Sequence, residues 1–247
     1  MYVGLGVVSA ADYQGAVKRR EQALPMIQLE WSNGIFLSGM TAGWHLSERP
    51  DVEFGPLLAL DSGRDKEGDK PKAGGVKPIT GFQTGRVARA GQGLLGMQDI
   101  DARLQLGMFA NYYLTPSLRL ANSVLFGSGR ERTGATWNIS VQQVATRLSP
   151  HHEVALSAGM NVVNRSYNTS YFGITTAEAL ASGHAVYAPG GGVRDVYVSA
   201  GWNWALSPKW MVASGARVTR LSGDARLSPL VERPVNVTVS SGLVYRY

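Results

Sequence analysis

Four histidines, His45, His151, His152 and His184, are the side chains best suited to move protons near neutral pH. To hydrolyse a lipid, one of them would need a serine and a carboxylate converging on it, and the linear sequence shows no such set. His151 and His152 follow Ser149 and Pro150 in a turn-forming stretch, where solvated polar residues are the ordinary occupants. Carboxylates crowd a second region: Asp61, Asp65, Glu67, Asp69, Asp99 and Asp101 could suggest a cation site built from oxygen ligands. The run Asp65-Lys66-Glu67-Gly68-Asp69, however, carries an interleaved lysine and lacks the ligand spacing and bidentate glutamate of an EF-hand loop, so it reads as a solvated loop. Gly190-Gly191-Gly192 precedes strand-like residues, leaving a phosphate without a helix N-terminus to use. The chain has no cysteine, which removes disulfides, thiolate metal sites and cysteine nucleophiles together. We therefore expect no catalytic set, no metal and no cofactor, and hence no enzyme.

The elements that carry these residues follow from composition and period. Among 247 residues, 44% are hydrophobic, too many for a disordered chain, yet no apolar run approaches the length of a membrane helix. Thirty glycines, six tryptophans and ten tyrosines suit short-linked strands. The net charge of +6 comes from scattered basic residues without a long run or a basic helix face, so nucleic acid is not an expected partner. Alternation with period two dominates, as it must where successive side chains of a strand point to opposite faces. Val235, Val237, Val239, Leu243, Tyr245 and Tyr247 alternate with Asn236, Thr238, Ser240, Gly242 and Arg246. Leu104, Leu106, Met108, Ala110 and Tyr112 alternate in the same way with Arg103, Gln105, Gly107 and Asn111.

Twelve such segments are expected: 2–9, 25–32, 35–40, 42–48, 52–63, 99–113, 117–127, 135–148, 152–165, 192–206, 209–221 and 235–247. Many are about ten residues or longer, the length a tilted strand needs to cross a bilayer. Short turns at 32–34, 48–51, 115–117, 149–151 and 207–209 alternate, apart from the tight link near Thr41, with longer polar stretches at 10–24, 64–98, 128–134, 166–191 and 222–234. An even strand number with alternating short and long links is the pattern of an outer-membrane barrel whose long loops face outward and whose termini face the periplasm. The expectation is an all-β fold with a single domain over 1–247, a transmembrane antiparallel up-and-down β-barrel of twelve strands with both termini periplasmic. Met1 and Tyr2 lead straight into strand-like residues, so a mature form lacking its signal peptide is expected. Trp31, Trp44, Tyr112, Tyr113, Trp137, Trp202, Trp204, Trp210, Tyr245 and Tyr247 fall mostly near strand ends, as interfacial girdles require. The alternating, aromatic terminus Tyr245-Arg246-Tyr247 resembles the signal by which barrel-assembly machinery recognises its clients.

The same alternation turns Arg103, Arg119, Arg194, Asp195, Arg217 and Arg246 toward or near a lumen. Paired charges there would plug the barrel, whereas unpaired arginines would line an anion-favouring channel. Both options stay open in the sequence.

Several stretches together resemble the MipA/OmpV family of outer-membrane proteins over nearly the whole chain. They are Gly4-Leu5-Gly6 followed by Asp12-Tyr13-Gln14-Gly15, with Ala11 where the family has proline; Gly55-Pro56-Leu57-Leu58 with Gly63-Arg64; and Leu94 to Ile100. Tyr171-Phe172-Gly173-Ile174-Thr175, Ser182-Gly183 with Tyr187, Gly190 and Gly191, and Arg220-Leu221, Gly223-Asp224-Ala225 and Ser228-Pro229-Leu230-Val231 continue the likeness. The resemblance implies a non-catalytic scaffold joining a lytic transglycosylase and a murein synthase at the outer membrane, in contact with lipopolysaccharide. A narrow pore, a permeability factor affecting antibiotic uptake, or an adhesin is the alternative. A scaffold would present periplasmic turns, placing Arg49, His151, His152 and Lys209 among the expected partner contacts.

Overall fold

In a computed structural model, which describes residues 1–65, 68–69 and 94–247 (backbone alone at 68–69 and 144–147), the chain closes into a barrel. The barrel strands are β1 (Tyr2–Ala11), β2 (Arg19–Glu30), β3 (Ile35–Ser38), β4 (Thr41–Trp44), β5 (Val52–Asp61), β8 (Arg103–Thr115), β9 (Leu118–Ser128), β10 (Gly134–Ser149), β11 (His152–Val163), β12 (Gly192–Ala205), β13 (Trp210–Leu221) and β14 (Val235–Arg246). A two-residue hairpin, β6 (Arg64–Asp65) with β7 (Gly68–Asp69), follows β5. Helices α1 (Arg165–Phe172) and α2 (Thr176–Ser182) lie between β11 and β12, and α3 (Gly223–Leu227) lies between β13 and β14.

Every barrel pairing is antiparallel, and the ring is completed where β1 meets β14, from Tyr2 opposite Arg246 to Ser9 opposite Val239. Twelve strands and the up-and-down order match the expectation. Boundaries move where polarity misleads. Residues 10–24 were expected as a loop, but β1 runs to Ala11 and β2 begins at Arg19, because the ladder from Ala11–Arg19 to Tyr2–Gln28 needs backbone groups and not apolar side chains. The segments expected at 35–40 and 42–48 shrink to four residues each, turning at Gly39 (φ 59°), and the strand expected from 99 starts at Arg103. The stretches 166–191 and 222–234 are not plain loops, since they hold the three helices. Most of the stretch 64–98, Glu67 included, lies outside the described residues.

The outward rows are apolar and exposed. On β8 they are Leu104, Leu106, Met108, Tyr112 and Leu114, opposite the inward residues Gln105, Phe109, Asn111 and Tyr113. All six tryptophans are exposed, and five of them (Trp31, Trp44, Trp202, Trp204 and Trp210) sit at the short-turn end. Tyr113 departs from the expected girdle, since the pleat turns it inward. Inside, Val8, Ala10, Leu24, Met26, Ala213 and Val244 form an apolar cluster against one wall. Phe36, Leu57 and Phe109 form another.

Replacing Met108, in the middle of the β8 outward row, with arginine is expected to lower stability by about 2–4 kcal/mol in lipid vesicles, while Leu114→Arg at the strand end costs about 0–1 kcal/mol. Urea titration of the vesicle-embedded protein measures both. Equal losses at the two positions would contradict a lipid-facing row.

Candidate functional site

The functional surfaces are the lumen, the structure over its long-loop mouth, and the rim at the short-turn end. Among the described residues, three polar networks stand on the inner wall. In the first, Arg119 is buried and reaches from β9 to both neighbouring strands of the wall. Its Nε donates to Gln142 Oε1 (3.0 Å), and its terminal nitrogen donates to Glu53 Oε2 (3.1 Å) and to the Tyr113 hydroxyl (3.0 Å). Tyr113 in turn donates to Glu53 Oε1 (2.8 Å), and Asn111 donates to Glu53 Oε2 (3.1 Å). A guanidinium removed from bulk water needs this charge and hydrogen-bond compensation.

The second network depends on a β-bulge. Between Asn161 and Val162 the register of β11 with β12 shifts, so Asn161 faces Asp195 while Val162 faces Val193. The extra residue lets Arg194 and Asp195, consecutive in sequence, both turn inward, which regular alternation forbids. Arg194 Nε donates to Asp195 Oδ2 (2.5 Å), and its terminal nitrogen donates to the Tyr167 hydroxyl of α1 (2.6 Å). Asn161 donates to Asp195 Oδ1 (2.7 Å), and Asn138 links Asn161 to the Tyr197 hydroxyl. Arg217 lies 3.5 Å over the Tyr197 ring, a cation–π contact across β12 and β13. In the third network, Asp61 accepts from the Tyr171 hydroxyl of α1 (2.7 Å) and from Gln105 (3.4 Å).

Tyr167 and Tyr171 thus tie α1 to two walls. The helix has its own caps: Asn164 accepts from the Tyr167 N–H at the start, and the buried Arg64 donates to the Tyr171 and Ser170 carbonyls at the end. A cation at a helix C-terminus also meets the negative end of its dipole. Two apolar cores join the loops to one another. One holds Ile100, Val163, Tyr167, Tyr171, Phe172, Leu221 and Ala225, and the other holds Tyr13, Ala16, Leu94, Met97, Ile174 and Leu230. These residues come from the last positions of β11 and β13 and from the links after β1, β5, β11 and β13, on different parts of the ring, so the packed loops form a cap across the mouth.

Glu178 is the polar anchor of that cap. Thr175 and Glu178 form a capping box on α2, and Glu178 Oε1 also accepts from the Gln98 N–H (3.0 Å) and from Arg130 (2.9 Å). Burial alone would raise its carboxyl. The N–H groups of Thr175 and Gln98, the Thr175 hydroxyl and the Arg130 guanidinium outweigh burial and hold it below the usual glutamate range.

The residues singled out in the sequence fall into distinct places. Arg119, Arg194, Asp195 and Arg217 join the networks above. Arg103 also faces inward and donates to Asp101 (3.0 Å), while Arg246 lies exposed at the short-turn mouth. Among the carboxylates once grouped around the long loop, Asp61 and Asp101 go to these separate partners. At the short-turn rim, Arg49 is exposed and paired with Asp51 (2.7 Å), lowering the Asp51 carboxyl through that hydrogen bond. His151 and Lys209 are exposed on neighbouring hairpins, with Arg49 on a different arc. His152 points outward instead, stacked on Trp202 and Trp204 at 5.7 and 5.9 Å and accepting from the Trp202 indole N–H (3.2 Å). His45 lies inside against Phe36 and Phe109, and His184 follows α2. Glu53, Gln142, Asn161 and Tyr197 were absent from the residues singled out in the sequence, and Tyr113 was assigned there to the girdle. Their inward parity was readable, but their cross-strand partners were not.

Glu178→Gln keeps the shape and removes the charge, so α2 is expected to lose about 1.5–3 kcal/mol of anchoring. Because the carboxyl is lowered in the folded protein, that anchoring is complete above the ordinary glutamate range and lost as pH falls through the lowered value. Hydrogen exchange of residues 165–182 should accelerate in the variant at neutral pH and in the parent only in acid. Unchanged exchange in the variant would remove Glu178 from this role.

The family model described as MltA-interacting protein MipA matches residues 3–247. A curated relative, the outer membrane protein Omp26La of Vibrio anguillarum, is 27% identical over 157 residues, covering 62% of this chain and 57% of that protein. The chain thus spans less than two thirds of that relative's length. Among solved structures, the NanC porin superposes with a TM-score of 0.53 over 98% of this chain and 100% of its own, at 7% identity. The KdgM porin superposes with a TM-score of 0.50 over 100% and 99%, at 9% identity. The porin likenesses bear on the fold alone, whereas the family match runs from the first strand to the last residue. This closed twelve-stranded barrel is an outer-membrane protein and belongs to the MltA-interacting protein MipA family.

Proposed function

We propose that this chain is a non-catalytic docking platform, holding a murein-processing enzyme against the inner face of the outer membrane through its short-turn rim. In this reading the termini and short turns face the periplasm, and the cap faces outward. The observation that carries it is the cap: loops from four parts of the ring share two apolar cores over one mouth, with Tyr167 reaching down to the buried Arg194 and Tyr171 to Asp61. A passage blocked by such packing is poorly suited to steady solute flow, and the exposed turns are what remains for a periplasmic partner. The family description names an interaction with MltA. A lytic transglycosylase, joined to a murein synthase, is accordingly the proposed partner class.

On the rim, Arg49, His151 and Lys209 are the contacts to change. His152 supports the aromatic belt in place of touching a partner. Replacing Arg49, His151 and Lys209 together with serine is expected to weaken capture of a lytic transglycosylase from detergent-solubilised outer membrane by about tenfold, at roughly 0.5 kcal/mol per exposed charged or polar contact. Undiminished capture would move the contact off these turns.

In planar bilayers the intact protein should give no steady single-channel steps, and removal of residues 165–182 should produce them. Regular steps from the intact protein would favour the narrow-pore alternative over a pure platform.

A further inference from the structure

The outward rows of the barrel do not end alike at the capped mouth. On β13 the row Val212, Ala216, Val218 ends in Arg220, and on the approach to β14 Arg233 stands two residues before Val235, where the outward row Val235, Val237, Val239 begins. On β2 the row ends in Arg19. Its side chain lies flat across β1, one terminal nitrogen donating to the Val237 carbonyl (2.6 Å) and the other to the Ser9 carbonyl (3.1 Å) and hydroxyl (3.0 Å). Val237 pairs with Val218, the outward neighbour just below Arg220, so the register sets the Arg19 guanidinium one strand over from β13 and one outward position below Arg220. All three arginines are exposed. Arg19 uses three of its five N–H donors on these acceptors. The rows of β8 and β9 end instead in Leu104 and Phe126.

Arginines directly above an apolar band, on one arc of the wall, sit at the depth of lipid headgroups. Their forked donors match phosphate oxygens. Of the nearby carboxylates, Glu232 accepts from the Tyr13 hydroxyl and the Val17 N–H, and Glu21 lies one pleat nearer the apolar band than Arg19. We propose that Arg19, Arg220 and Arg233 form a binding site for the phosphates of a phosphorylated glycolipid of the outer leaflet, of the lipid A type. The site rests on the orientation proposed above, since the reverse orientation would set the same arginines among phospholipids.

The test uses the full-length protein in detergent, with diphosphoryl lipid A, its dephosphorylated form, phosphatidylglycerol and inorganic phosphate as separate probes, read by native mass spectrometry. The parent should retain diphosphoryl lipid A in preference to the other three. Combining R19Q, R220Q and R233Q should weaken retention about a hundredfold, at roughly 1 kcal/mol per arginine beside an anionic surface. R132Q with R165Q, exposed on the links after β9 and β11, should change nothing. Gel mobility of unheated samples confirms that each variant is folded, and Arg-to-Lys replacements should restore part of the binding. Equal retention by the folded triple variant would overturn the site. Equal binding of phosphatidylglycerol, or displacement of lipid A by inorganic phosphate, would reduce it to a general anion patch and overturn the glycolipid assignment. Trypsin added to intact cells reports on orientation separately: a capped end cut only after permeabilisation would refute the orientation, and with it the outer-leaflet placement, even if lipid A binds in detergent.

Discussion

Closure of the sheet is the constraint on which everything else rests. In hydrocarbon an unpaired backbone N–H or carbonyl has no water to turn to, so a strand array can cross a membrane only as a ring without edges. The ring closes at β1 and β14, and glycines let these strands and their neighbour lie close. A Cβ on Gly6 would come within 2.8 Å of the Gly242 Cα, and one on Gly242 within 2.5 Å of Met26 Sδ. Larger residues there would push apart the seam or the Met26 side chain that covers it from inside.

Once the ring is closed, its two faces obey different solvents. Outward residues can be apolar without penalty, and inward ones must be satisfied among themselves. Arg119 is the clearest case, as its guanidinium, Gln142, Tyr113 and Glu53 come from four strands, β9, β10, β8 and β5, that the antiparallel meander lays side by side. Arg194 shows the same logic where one inserted residue re-aims a charge.

The architecture was legible because period-two alternation survives in β8, β11, β12 and β14 with few interruptions, and because short and long links differ in length. What alternation could not supply was pairing. Arg119 reads as inward from its parity, yet nothing local says that Glu53, far away in sequence, is its partner. The bulge at Arg194 breaks the parity rule itself. The charged stretch beginning at Lys18 reads as loop because a polarity scan cannot distinguish solvated backbone from a ladder rising above the lipid. The cap was under-read for a different reason: Thr175 and Glu178 carry a helix-start signature, but the helix behind it is only seven residues long and draws its stability from Gln98, Arg130 and the neighbouring loops.

The tryptophans give the barrel a mechanical asymmetry. With five of six indoles gathered at the short-turn rim, that end is held at the headgroup boundary by rigid rings, whereas the capped end meets it with long, flexible arginine side chains on one arc. Where the surrounding bilayer thickens or thins, the adjustment therefore falls more on the capped end. The turns at the moored rim keep a constant height above the membrane surface, as anything gripping them from the adjoining compartment requires.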